Sequence, residues 1–322
     1  MGKELFCSVG LHGENTDVGE SMLFYKPVVV DGTFVLPWGK FIENNTRGSA
    51  ENLLVIQHGL PGSQWRKTME QKARQLVQQR KDVAALFLIP SGIGMDSEYD
   101  LGITQTDKSD CMEFAPGFFT IPFSLRQYVR QMCAAVISLE QDGFRGQIHA
   151  VGHSSGASAL LYAVRKWHEL GICLPASLNF LAPFVKTAVD IDDPEIALSI
   201  VNTQCAVQDA VSADSQKQSL RELFEEVRKF YKVLPCENLM TSHGELFDRR
   251  FFETIGDLSS IIEDQECDVR IIRGGKDPFI DKCHADLIAD RVGKTREDIE
   301  RVLAGDGHDL ASLDLQDLVA ES

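Results

Sequence analysis

Residues 151–160, VGHSSGASAL, set two serines between two glycines. A serine hydroxyl attacks a carbonyl only when a base stands beside it and a third group orients that base. Gly152-x-Ser154-x-Gly156 is centred on Ser154, whereas centring on Ser155 would put His153 where the turn needs a small residue. The apolar run QIHAV precedes the motif and the helical pattern ASALLYAV follows it. That is the setting of a sharp strand-to-helix turn with its apex hydroxyl exposed. Ser154 is therefore the candidate nucleophile. A Gly/Ser turn with no chemistry is the plain alternative, so the flanking elements and the partners carry the argument.

Eight histidines compete for the role of base. His308, in Gly305-Asp306-Gly307-His308-Asp309, follows the serine and a candidate acid in the order Ser, Asp, His, one of the known triad orders. His284 lies in the helical pattern DKCHADLIADRV and is expected at the surface or in packing. His12, His168 and His243 lack a strand end before them, and His149 falls inside a strand. His153 abuts Ser154 and reads as local packing or as a pocket wall, which makes it a candidate substrate contact. The acid should follow a strand, and residues 269–272 are that strand. The turn after it, Gly274-Gly275-Lys276-Asp277-Pro278, offers Asp277, for which an Asx turn is the bland role. Asp190, Asp192 and Asp193 are the alternatives.

Acyl transfer also needs donors aimed at the developing oxyanion. The N–H of Ser155 is one. The loop Gln57-His58-Gly59-Leu60-Pro61-Gly62-Ser63 supplies the second, and the N–H of Leu60 is the natural donor because Pro61 has none. Residues 112–123 carry Phe114, Phe118, Phe119, Ile121 and Phe123. Phe118 and Phe119 are candidate substrate contacts in an apolar pocket, or they pack a cap onto the core.

These residues need a scaffold that brings strand ends together. Residues 23–25 and 28–30, Asp31-Gly32 and residues 33–36 read as a hairpin. Short apolar runs at 53–56, 84–89, 148–151, 178–181 and 269–272 read as strands buried on both faces. Helical patterns at 65–81, 125–136 and 157–170 alternate with them, which predicts a mainly parallel sheet covered by helices on both sides. Between about 183 and 264 only helical patterns occur. One starts at the capping box Ser219-x-x-Glu222, and Asp193-Pro194-Glu195 marks another start. An all-helical insertion there reads as a cap over the carboxyl edge of the sheet, where open α/β sheets bind ligands. The division is a discontinuous core, 1–183 and 265–322, with a helical cap at 184–264.

Composition narrows the partners. The chain has 322 residues and a formal charge of −16, which disfavours nucleic acid because phosphate recognition needs clustered Lys and Arg. No apolar run is long enough to suggest a membrane span. The opening MGKELFCSVG lacks the apolar core of a secretory signal, and Phe6 stands where a myristoylation signal needs Ser or Thr. The eight cysteines form no C-x-x-C pair, as expected of buried thiols in the reducing cytoplasm.

Taken together, HGLPGS, PSGIGMDS, GHSSG, GGKD and GDGH, in this order, resemble the α/β-hydrolase superfamily and its cap-bearing serine hydrolases. The resemblance spans about residues 23–313. It implies Ser154 as nucleophile, His308 as base and Asp277 as its orienter, with neither metal nor organic cofactor. Epoxide hydrolases and haloalkane dehalogenases of that branch use an Asp nucleophile, so Ser154 disfavours them. The sequence departs from the family at Pro90-Ser91, where an acidic residue is usual. An extra residue separates Gly94 from Ser97, and TREDIERVLAG has a helical pattern where the family has its last strand. The expected activity is hydrolysis of a carboxylic ester of a small to medium apolar substrate through an acyl-enzyme. A thioesterase, an acyltransferase or a C–C bond hydrolase would use the same groups, and a non-catalytic binding protein could retain them.

Overall fold

A computed structural model describes residues 7–10, 18–24, 27–44, 50–59, 63–89, 125–185, 255–277, 280 and 282–319. The chain begins with β1 (Cys7–Gly10), β2 (Val18–Phe24), β3 (Val28–Val30), β4 (Thr33–Val35), β5 (Trp38–Asn44) and β6 (Asn52–Gln57). Next come helix α1 (Ser63–Gln79), β7 (Val83–Leu88), α2 (Leu125–Gln141), β8 (Gln147–His153), α3 (Ser155–Glu169) and β9 (Ser177–Leu181). The last group is α4 (Ser259–Asp264), β10 (Asp268–Gly274), α5 (Lys282–Val292), the single turn α6 (Arg296–Ile299), β11 (Glu300–Leu303) and a 3-10 turn (Leu315–Leu318).

Among the described residues, nine strands form one sheet in the order β1-β2-β5-β7-β6-β8-β9-β10-β11. From β7 to β11 every neighbour is parallel, while β1, β2 and β5 run antiparallel at one side. Every residue of β6, β7 and β9 is buried, which is why these strands read as unbroken apolar runs. Their side chains alternate between two cores. Leu53, Val55, Leu86, Ala150, Leu178 and Phe180 face α2 and α3, where Met132, Ala135, Leu160 and Trp167 meet them. Leu54, Ile56, Phe87, Val151 and Leu181 face the other way, onto Met69, Ala73, Leu76 and Val77 of α1.

Four local expectations change. Asp31 and Gly32, at φ 51° and 70°, close the β3–β4 hairpin as a mirror-image turn, but that hairpin is a separate two-stranded sheet. Leu23 and Phe24 belong to β2 and pair with β5. Strand β5, WGKFIEN, was hidden by its charges: Lys40 is buried there because Glu20 and Glu70 pair with it at 2.9 Å and 3.0 Å. The helical pattern TREDIERVLAG divides into one turn, α6, and then β11, which pairs in parallel with β10. The acidic and glycine spacing departures at 90–97 lie outside the described residues.

Most of the stretch expected to form a cap, 186–254, also lies outside the described residues, including the helix starts at Asp193 and Ser219. Its two ends are part of the main body, since Val185, Ile255, Leu258, Ile261 and Ile262 pack into the core beside α2 and α3. No helix among the described residues is long and apolar enough to cross a membrane.

Phe180 is fully buried in the middle of the sheet. Truncation to alanine should cost about 3–5 kcal/mol, seen as a lower urea midpoint at unchanged slope. A midpoint within error of the parent would contradict this packing.

Candidate active site

Strand β8 ends at His153 and α3 opens at Ser155, so Ser154 alone makes the turn. Its backbone sits at φ 54°, ψ −122°, a region non-glycine residues seldom occupy and one associated with functional turns. Hydrogen bonds hold it there: the Ser154 N–H donates to the Leu181 carbonyl at 2.9 Å, and the Ser154 carbonyl accepts from the N–H groups of Ala157 and Phe184, both at 3.0 Å. The Ser154 side chain makes no capping bond to α3. The flanking glycines are needed for space. A Cβ on Gly152 would lie 2.4 Å from the Gly156 carbonyl oxygen, and one on Gly156 would lie 2.3 Å from that of Gln57.

The loop after β6 reaches the same spot. A Cβ on Gly59 would stand 2.5 Å from Ser154 Cβ and 3.0 Å from Ser154 Oγ, so the backbone itself passes against the hydroxyl. His58 Nδ1–H donates to the Gly59 carbonyl at 2.7 Å. Leu60, the expected second donor, lies outside the described residues, as do Phe118 and Phe119. Ser155 is the first residue of α3, where N–H groups point out of the helix toward its amino end.

The candidate acid and base, Asp277 and His308, come from the other side of β9. The His308 Nδ1–H donates to Asp277 Oδ2 at 2.9 Å, and the Asp277 side chain is fully buried. Asp277 Oδ1 also accepts from the Ile280 N–H at 3.1 Å. The two loops meet because Gly274 has no side chain: a Cβ there would be 2.2 Å from the Gly307 carbonyl oxygen. The Lys276 N–H donates to the Asp306 carbonyl at 2.8 Å, and the Asp306 carboxylate accepts from Ser312 N–H and Oγ. Because Nδ1 is the donor to Asp277, the lone pair of neutral His308 is on Nε2. No hydrogen bond joins the Ser154 hydroxyl to His308 among the described residues. The alternative acids Asp190, Asp192 and Asp193 lie outside them.

Burial affects the histidines differently. His58 is pushed down to about 4 by burial and by the Arg66 charge, and His149 to about 4 by burial and by Arg270 and Arg80. His149 is inside β8, hydrogen-bonded to Ser177 Oγ at 2.9 Å and Asn52 Oδ1 at 3.1 Å. His284 is buried in packing, its ring stacked on Phe184. His308 goes the other way. Its burial disfavours the charge, but the Asp277 carboxylate and its hydrogen bond, with Asp309, outweigh that and hold His308 above its ordinary range.

His153 is packed against its neighbours. It is 3% exposed, stacks on the Trp65 indole at 4.0 Å with 10° between planes, and its Nε2 lies 2.9 Å from the His308 carbonyl oxygen. Burial, then the nearby His308, holds it well below the usual histidine range. Trp65 was not singled out from sequence. The available signal was an aromatic residue in the first turn of the helix that follows the HGLPGS loop. Among the described residues no group of three or more His, Cys, Asp or Glu side chains is arranged to hold a metal ion.

Two outcomes are expected here. In an NMR titration His308 should protonate above the ordinary value of about 6.5, and Asp277→Asn should bring its midpoint down; an unchanged midpoint would separate the two residues. Gly59→Ala should displace the Ser154 side chain, slowing its modification by a fluorophosphonate about 100-fold while the fold persists.

The sequence matches no family model, and no curated protein sequence matches it. Solved structures do resemble it. The peroxisomal alpha-beta-hydrolase Lpx1 of Saccharomyces cerevisiae superposes with a TM-score of 0.51 at 14% identity, covering 97% of this chain and 84% of that one. A thermophilic esterase from Thermogutta terrifontis gives 0.50 at 13% identity, with coverages of 89% and 91%. A fungal esterase from Rhizomucor miehei gives 0.50 at 13%, with 95% and 78%. With the parallel sheet, the strand-to-helix turn at Ser154 and helices on both faces, these likenesses identify the chain as having the α/β-hydrolase fold.

Proposed function

We propose that the chain is a serine hydrolase that cleaves a carboxylic ester of a small to medium apolar substrate. The observation that carries this reading is the Asp277–His308 hydrogen bond, reached by two loops that converge on the face where Ser154 is held at positive φ. In the first step His308 Nε2 takes the Ser154 proton as Oγ attacks the ester carbonyl, and Asp277 stabilises the imidazolium. The oxyanion is bound by the N–H groups of Leu60 and Ser155. Collapse expels the alcohol, which leaves with the proton from His308. Water then attacks the acyl-enzyme, His308 again acting as base, and the acid departs. Proton transfer requires His308 Nε2 within hydrogen-bond reach of Ser154 Oγ, a geometry that such pairs commonly complete only with substrate bound.

Phe118 and Phe119 are assigned to the acyl pocket, for which the stretch 186–254 is the proposed cap. His153 supports the base rather than touching substrate. Two of the structural neighbours are named as esterases, which agrees with this choice among acyl chemistries. A reducing compartment such as the cytoplasm suits Cys133 and Cys267, buried thiols outside any disulfide. Burial pushes the Cys267 thiol up to about 12.

Ser154→Ala should lose both labelling by a fluorophosphonate and ester turnover, the latter by about 10³-fold or more. Acyl esters should be preferred to the matching thioesters across a chain-length series. In the parent, kcat/KM should rise with pH as His308 loses its proton, at a midpoint above the usual histidine range. Turnover by the Ser154→Ala variant equal to the parent would overturn the assignment.

A further inference from the structure

We infer that His153 is a positioning residue for the base: its Nε2–H, braced by the Trp65 indole, clamps the carbonyl of His308 and so fixes the backbone that carries the catalytic ring. The inference rests on the serine-hydrolase reading and assigns a role within the same site. A carbonyl oxygen only accepts hydrogen bonds, so the 2.9 Å contact requires the proton on His153 Nε2. Nδ1 of His153 then has only a lone pair, and it is buried with no hydrogen-bond partner among the described residues.

That unpartnered nitrogen is informative. A buried polar atom left unsatisfied is destabilising, and a phenyl ring would fill the space without it. What phenylalanine cannot supply is the donor to His308. The neutral state also matters, since in catalysis His308 becomes a cation 5.0 Å from the His153 ring centre. A charged neighbour at that distance would oppose proton uptake from Ser154; a neutral one does not.

The placement connects three elements. His153 is covalently next to Ser154 on β8, His308 follows β11, and Trp65 stands in the first turn of α1, directly after the loop that passes Ser154. The near-parallel stack fixes the plane of the imidazole, and with it the direction of the N–H. One stacked pair and one hydrogen bond therefore register nucleophile, base and oxyanion loop against each other, across 155 residues of sequence.

The test compares His153→Phe, which keeps the stack and removes the donor, with His153→Gln, whose Nε2 can replace the lost N–H. For His153→Phe, kcat for ester turnover should fall about tenfold or more at a KM within about twofold of the parent. His153→Gln should recover at least about a third of the lost rate, as a space-filling role would not predict. A His153→Phe enzyme with normal kcat, or a glutamine variant no better than phenylalanine, overturns the inference. Should the variants fail to fold, the ¹⁵N-labelled parent decides: His153 must show the Nε2–H tautomer, and an Nδ1–H tautomer overturns the proposal. Fluorophosphonate labelling of parent Ser154 separates the two levels. An unlabelled parent sinks the hydrolase reading and this inference with it. A labelled parent alongside a fully active His153→Phe form sinks the inference alone.

Discussion

The candidate site depends on one crossing of backbone, where Gly59 passes Ser154 with no room for a side chain between them. That crossing exists because β6 and β8 are parallel neighbours with Gln57 opposite Gly152, which ends both strands at the same level. Glycines at 152 and 156 let the turn fold back on itself. The positive φ at Ser154 costs on the order of 1–3 kcal/mol, and it persists because the surroundings over-determine it. Leu181 at the end of β9, Ala157 in α3 and Phe184 just after β9 each hold one end of that peptide unit. Strain, close approach and strand register are thus one constraint seen from three sides.

Burial has opposite consequences at neighbouring positions. Burial is the largest influence on His58, His149 and His153 and holds all three below the usual histidine range. His308 is only part-buried, and its hydrogen bond to a fully buried aspartate side chain holds its proton more tightly. The same rule governs the far edge of the sheet, where Lys40 tolerates burial because Glu20 and Glu70 surround it and Arg66 and Arg74 complete the network. A charge goes inside when its partner goes with it.

Much of this was legible in the sequence, and for identifiable reasons. Strands β6, β7, β8, β9 and β10 were readable because burial on both faces demands apolar runs, and the helices between them because one face must be apolar. Asp277 was a candidate partner of His308 from the turn after β10 and from chain order, beside Asp190, Asp192 and Asp193; the hydrogen bond that joins it to His308 belongs to the tertiary structure. Strand β5 was not readable, since Lys40, Glu43 and Asn44 break its apolar pattern; Lys40 is held by Glu20 on β2 and Glu70 on α1, and Asn44 donates to the Val77 carbonyl of α1. Nor was β11, where four residues of strand follow a helical turn so closely that the combined pattern reads as helix. Trp65 went unnoticed because its importance is a stacking contact with a residue 88 positions away.

The sequence by itself determined which groups were on offer: a serine between glycines, an aspartate in the turn after a strand, a histidine in a glycine-rich loop further on, and an alternation of elements that predicts a mainly parallel sheet. Local patterns suffice for that, because periodicity and turn residues reflect neighbours a few positions away. Only the tertiary structure decided which groups meet. Asp277 and His308 touch because β10 and β11 lie side by side with Gly274 opposite Leu303, bringing residues 31 apart within one hydrogen bond. It also decided that His153 turns its N–H to the His308 carbonyl and its face to Trp65, an arrangement that packing imposes and spacing does not encode.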